Sequence, residues 1–252
     1  MAGSDLRTRY SAADVSVLTR AEKLRFTLHD DADPQADVTL AWELLYRLEP
    51  ELYDRLATAE HLHRGILDWL PSGAERIVEV GAGTGRLTLE LVGRTRELIA
   101  IEPAMPLRSI LGRKLAATGA SRARALPGFF ASLPLRTDCA DLVVACSAFT
   151  PASAHGGSQG LAEMERVCRP GGCVAIIWPN NIDWLAAHGY EYVSFPGEMT
   201  VDFPSHREAV ELAEIFYPSA AKEVRRLGQR KIPAKVLGLN PPRDLAFKLL
   251  TP

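Results

Sequence analysis

The chain has 252 residues, 47% hydrophobic and 24% charged, enough for one well-buried core that carries at most a small appendage. Lysine and arginine total 29 against 31 aspartates and glutamates, and a formal net charge of -2 gives no overall field to hold a phosphate backbone, so nucleic acid is not an expected partner. Charges recur through the N-terminal segment and no apolar run is long enough to span a bilayer, so neither a secretory signal nor a membrane contact is expected.

The cysteines Cys139, Cys146, Cys168 and Cys173 form no CxxC pair, which suggests reduced thiols in a cytoplasm and no zinc or other metal site. Residues 1–70 carry little strand signal. Apolar residues at helical spacing over 39–48 and 51–70, broken by Pro50 and stopped by Pro71, predict a helical N-terminal cap. The acid-rich stretch 30–54 reads as a solvated surface.

From residue 71 onward short apolar runs alternate with helical patterns. RIVEV (76–80), LIAI (98–101), RARAL (122–126), DLVVAC (141–146) and CVAII (173–177) read as strands. Helices are predicted over 86–94, 106–118 and 158–168, the last stopped by a turn at Arg169-Pro170-Gly171-Gly172. Beyond an aromatic insertion at 178–204 come a helical pattern over 205–226, a strand near 235–237 and a last strand over 244–250. Such alternation implies an α/β fold, a doubly wound, Rossmann-like sheet covered by helices on both faces.

Between the first strand and its helix stand Gly81, Gly83 and Gly85, spaced G-x-G-x-G. A glycine turn at a helix N-terminus lets backbone approach a ligand and offers unpaired N–H groups. Arg86 occupies the place of the third glycine of a dinucleotide fingerprint, and no G-K-[ST] follows. Glu79, two residues before the turn, would repel a bound pyrophosphate and welcome a cation. Glu102 ends the second strand, where this topology places a carboxylate beside a ribose. A positively charged nucleoside without phosphate fits both acids, and S-adenosylmethionine is such a molecule.

Four motifs in order, EVGAGTG (79–85), IEPAMP (101–106), FFASLPLRTDCADLVVACSAF (129–149) and ERVCRPGGCVAII (165–177), resemble those of the class I S-adenosylmethionine-dependent methyltransferases, especially the small-molecule branch. The resemblance implies a seven-stranded sheet with the last strand antiparallel and S-adenosylmethionine as cofactor. It also implies that Glu79, Gly81, Gly83 and Gly85 surround the methionine end, that Glu102 holds the ribose, and that Pro103 and Met105 pack on adenine. Phe130 and Ala131 would border the adenine edge, and Cys146 and Ser147 would face the sulfonium. Tyr53 resembles a tyrosine that some relatives bring to the cofactor carboxylate. The family often has an acid where this chain has Phe129, so the acceptor for the adenine amino group must come from backbone or water.

Methyl transfer is an in-line displacement that needs alignment and exclusion of water more than an acid or base. Residues 71–252 would form the methyltransferase domain, with 178–204 as a lid for an apolar or aromatic small-molecule acceptor. His155, after the fourth strand, is the candidate general base. The basic cluster Lys222, Arg225, Arg226, Arg230, Lys231 and Lys235 reads as a solvated helix face rather than an anion site. The alternative on the same fold is a protein that binds the cofactor for other chemistry or without catalysis. Oligomeric state leaves no trace in the sequence.

Overall fold

The structure, a computed structural model, describes residues 6–25 and 33–251; His29 and the first two acids of the 30–54 stretch lie outside them. The helices α1 (Arg20–Arg25), α2 (Val38–Leu48), α3 (Pro50–Ala59) and α4 (Arg64–Trp69) come first. Asp37 caps α2, its carboxylate accepting from the N–H groups of Thr39 and Leu40, and Pro50 opens α3, where a missing N–H costs nothing. The strands β1 (Arg76–Val80), β2 (Glu97–Ile101), β3 (Ala123–Leu126), β4 (Ala140–Cys146) and β5 (Cys168–Ile177) then alternate with α5 (Thr88–Leu91), α6 (Met105–Ala117) and α7 (Gly157–Val167). After them come α8 (Ile182–Ala187), β6 (Glu191–Ser194), β7 (Thr200–Asp202), α9 (His206–Phe216), α10 (Ala221–Leu227), β8 (Lys231–Pro233) and β9 (Asp244–Leu249).

Seven strands form one sheet in the order β3-β2-β1-β4-β5-β9-β6. The pairings from β3 to β5 are parallel and β9 runs antiparallel to both of its neighbours, as the resemblance implies. The continuous apolar runs of the central strands follow from burial on both faces. Val78, Val143, Val174 and Ile176 pack on one face with Leu161 and Met164 of α7. Ile77, Leu142, Val144 and Ala175 pack on the other with Ile66 and Leu67 of α4 and Leu87 and Leu91.

Several elements depart from the sequence reading. The helix expected over 86–94 is confined to Thr88–Leu91, because the glycine turn extends into its first residues. The turn expected at Arg169 to Gly172 falls inside β5, as a register irregularity between Cys168 opposite Ala140 and Cys173 opposite Leu142, with Gly171 at φ of 73°. The sixth strand of the sheet is β6, inside the aromatic insertion, so 178–204 is not a lid alone. The strand expected near 235–237 lies at Lys231–Pro233 and pairs with β7 in a separate two-stranded sheet. One helix over 205–226 becomes two, interrupted at Tyr217 and Pro218, since proline lacks the N–H a helix interior needs.

The chain divides into two compact units, Met1–His61 with Gly197–Pro241, and Leu62–Pro196 with Pro242–Pro252. This differs from a division into 1–70 and 71–252: the N-terminal helices share a unit with residues from the second half of the chain, and α4 goes with the sheet. The core of the first unit joins Leu40, Leu44 and Leu45 of α2 to Phe203, Leu212, Val224 and Ile232. Its acidic stretch is not wholly solvated, for Glu43 is buried and Glu49 pairs with Arg9 at 2.6 Å. On its surface Arg226 pairs with Glu223, Arg225 with Glu214, Lys231 with Asp202 and Lys235 with Glu198, in line with a solvated basic face.

Candidate functional site

The glycine turn is tied to the end of the neighbouring strand. The N–H groups of Gly81 and Ala82 both donate to the carbonyl of Ile101, at 2.8 and 3.0 Å. Gly81, Gly83 and Gly85 all have positive φ, at 76°, 55° and 103°, a region that L side chains enter only at a cost. Two of them are also fixed by packing within the protein. A Cβ on Gly81 would lie 2.4 Å from Cβ of Ala148, and one on Gly85 would lie 2.8 Å from Cδ1 of Leu111.

Two buried carboxylates flank this turn. Glu102 accepts the N–H of Gly83 on Oε2 at 2.8 Å and the N–H of Ala104, the residue before α6, on Oε1 at 2.7 Å. One side chain therefore closes the glycine turn and caps the next helix. Glu79 accepts the hydroxyl of Thr88 at 2.5 Å. Burial pushes its carboxyl up to about 8, with the nearby charge of Glu102 adding to the effect and the Thr88 hydrogen bond and Arg86 opposing it. The Thr84 hydroxyl, within the turn, is buried and has no hydrogen-bond partner among the described residues.

A turn edged by the Glu102 carboxylate, with a second buried carboxyl at Glu79 that a nearby cation would ionise, suits a cation better than a phosphate. An orphaned buried hydroxyl beside it is the sort of group a ligand satisfies. The residues present thus fit a cationic nucleoside without phosphate, and S-adenosylmethionine answers that description.

The carboxyl ends of β4 and β5 complete the edge. Cys146 is half-buried at the end of β4, and Ser147 follows with φ of 57°. Its N–H donates to Ile177 at 3.0 Å. Trp178 leaves β5 with φ of 55°, and the guanidinium of Arg86 lies over its ring at 5.5 Å. Two non-glycine residues in the left-handed region at adjacent strand ends mark backbone strain of the kind that clusters at ligand sites. Arg86, which displaces the third dinucleotide glycine, fixes an aromatic ring at the strand edge. Thr84 and Thr88 escaped the sequence reading, and Trp178 was read only as the first aromatic of the 178–204 insertion; the hydroxyls of T-G-R-L-T, beside the glycines and an acid, were the available signal.

The other expected residues divide. Phe130 reaches the turn, its ring 3.5 Å from where a Gly81 Cβ would stand, and meets Phe149 edge-on at 5.4 Å. The carbonyl of Ala131 accepts the side-chain amide of Gln159 at 3.0 Å. Pro103 is half-buried, its carbonyl accepting Arg108 at 3.1 Å, while Met105 is 59% exposed on the first turn of α6. Phe129 is exposed too, and supplies no acid. His155 ends a short 3-10 turn, Ser153–His155, and is half-buried. Tyr53 belongs to the first unit, where its ring packs on Tyr46 at 4.8 Å and Trp42 at 6.5 Å. Among the described residues no His, Cys, Asp and Glu group could hold a metal ion, and no helix is long and apolar enough to cross a membrane.

Comparison with known proteins agrees with this geometry. Residues 77–172 match the family described as Methyltransferase domain. An uncharacterised methyltransferase of Mycobacterium tuberculosis is 34% identical over 130 residues, covering 49% of each chain. Another, from Oceanobacillus iheyensis, is 28% identical over 115 residues, covering 46% of this chain and 52% of its own. The chain therefore spans about half the length of the curated relatives it matches. In fold it is similar to a chain of the complex between the Haloferax volcanii Trm112 methyltransferase activator and a methyltransferase. There the TM-score is 0.51 at 16% identity, with 80% of this chain and 93% of that one covered. The matched segment runs from β1 into β5 and contains both acidic strand ends, so the similarity to methyltransferase domains falls on the part of the chain that carries the glycine turn.

Proposed function

We propose that the protein binds S-adenosylmethionine at the glycine turn and transfers its methyl group to a small, apolar or aromatic acceptor. The observation that carries the reading is the Glu102 carboxylate, buried at the end of β2 and bonded to the Gly83 N–H. When bound, the cofactor supplies a methyl group on a sulfonium. Glu102 would hold the ribose hydroxyls, since a carboxylate oxygen that accepts one N–H keeps a lone pair for a second donor. Glu79, ionised by a neighbouring cation, would stabilise the methionine end. The rings of Phe130 and Phe149 would exclude water beside Gly81. Pro103, Met105 and Ala131 would border the adenine, and Cys146 and Ser147 would face the sulfonium. His155 would take up a proton from an acceptor that carries one. The paired basic residues of α10 and β8 favour a small molecule over an anionic polymer.

Calorimetric titration with S-adenosylmethionine, S-adenosylhomocysteine and NAD tests the cofactor. Both adenosyl ligands should bind and NAD should not; tight NAD binding with no response to either adenosyl ligand would overturn the reading. Formation of S-adenosylhomocysteine with an aromatic acceptor panel then tests transfer, and binding without turnover across the panel would favour a non-catalytic role.

A further inference from the structure

The far end of the same sheet edge holds a polar pair that the cofactor reading leaves unused. Asp244 is the first residue of β9, and its carbonyl accepts the N–H of the left-handed Trp178 at 2.9 Å. Its side chain is 3% exposed, yet only Oδ2 has a partner, the Tyr192 hydroxyl at 2.9 Å; Oδ1 is buried with none among the described residues. Tyr192, on the edge strand β6, is 44% exposed. Burial of a carboxylate oxygen without a donor is costly and calls for an explanation.

We infer that Tyr192 and Asp244 together recognise a primary ammonium group on the methyl acceptor, an inference that rests on the function proposed above. The Tyr192 hydroxyl gives its one proton to Asp244, so toward a ligand its oxygen can only accept. Donation to a carboxylate makes that oxygen a stronger acceptor, since hydrogen bonds in a chain polarise one another. The exposed ring adds a face for a cation, and the carboxylate behind it adds negative charge that the neighbouring Arg243 guanidinium offsets in part. Burial and the Asp244 hydrogen bond both push the Tyr192 phenol up, which keeps its proton in place as donor.

Sheet order decides what the pair can reach. Three strand spacings separate β6 from β4, or about 14 Å at about 4.8 Å each. Tyr192 therefore reads a part of the acceptor remote from an atom reacting at the end of β4. It is a recognition residue and not the proton acceptor of the reaction.

The test titrates 2-phenylethylamine and 2-phenylethanol into the wild-type chain and into Tyr192→Phe and Asp244→Asn, with S-adenosylhomocysteine titrated separately. The amine should bind the wild type about tenfold more tightly than the alcohol. Each variant should lose that preference while keeping the affinity for S-adenosylhomocysteine. Tyr192→Phe is the decisive variant, because its site is exposed and its fold is safe even where the buried Asp244→Asn change destabilises. Equal binding of amine and alcohol, no binding of either, or an undiminished preference in Tyr192→Phe would overturn the inference. Failure of S-adenosylhomocysteine to bind the wild type would instead overturn the proposed function, because the amine titration reads the pair independently.

Discussion

At Glu79 burial and charge oppose each other, and pH exposes the balance. In the folded chain the carboxyl is pushed up to about 8 from an ordinary 4.5. Between those values the folded state holds a proton that the unfolded state has released. The stabilisation is therefore full below about pH 4.5 and is lost as pH rises toward about 8. A cationic ligand reverses the preference by favouring the ionised form. S-adenosylmethionine binding at neutral pH should release a proton, and affinity should rise by up to about tenfold per pH unit below about 8. Calorimetry in two buffers of different ionisation heat measures the proton, and Glu79→Gln should abolish both effects. Proton-neutral binding by the wild type would mean that Glu79 stays protonated in the complex. Glu102 was legible as a strand-end carboxylate, but its bond at the start of α6 was not. In the structure its two oxygens accept from Gly83 and Ala104 separately, so the side chain ties the glycine turn to the start of α6. Glu102→Ala should accordingly lower the melting temperature of the ligand-free protein and also weaken S-adenosylhomocysteine binding by roughly 2–4 kcal/mol. A lower melting temperature with an unchanged ligand-induced rise would leave only the cap.

Among elements, the glycine turn separates positions that the sequence pattern treats alike. Gly81 and Gly85 are hemmed in by Ala148 and Leu111, so their first duty is to let β1 and α5 approach neighbouring parts of the protein. Gly83 donates to Glu102 from a left-handed conformation. Gly81→Ala should destabilise the fold by about 1–3 kcal/mol through overpacking. Gly83→Val should abolish S-adenosylhomocysteine binding with a largely native circular dichroism spectrum. Equal affinity in Gly83→Val would make this loop a structural turn. The central strands were readable because β-branched runs buried on both faces stand out in a sequence. The strand β6 was not, since E-Y-V-S at a sheet edge lacks such a run and sat among aromatics that suggested a lid. Its place is set by pairing with β9, more than fifty residues away, and no local pattern records that.

At the scale of the whole chain, the helical start was legible in its periodicity, but its partners were not. The apolar faces of α9 and α10 could be read as helical; that they close a core with α2 depends on contacts across some 170 residues of sequence. The division implied by those contacts is testable at one buried position. Leu44 is fully buried in α2 within the core that includes Leu212, Val224 and Ile232. Leu44→Ala should cost about 2–5 kcal/mol, as truncation of a packed leucine does. Because one core serves both stretches, hydrogen exchange should quicken together in α2, α3, α9 and α10. The helix α4 is the discriminating element. A cap ending at residue 70 would include it and lose its protection too, whereas Ile66 and Leu67 pack against Ile77 and Leu87 beneath the sheet. Its amides should therefore keep the exchange rates of the wild type along with β1 and β4. Faster exchange in α4 that matches α2, with α9 and α10 unchanged, would restore the sequential boundary and dissolve the composite unit.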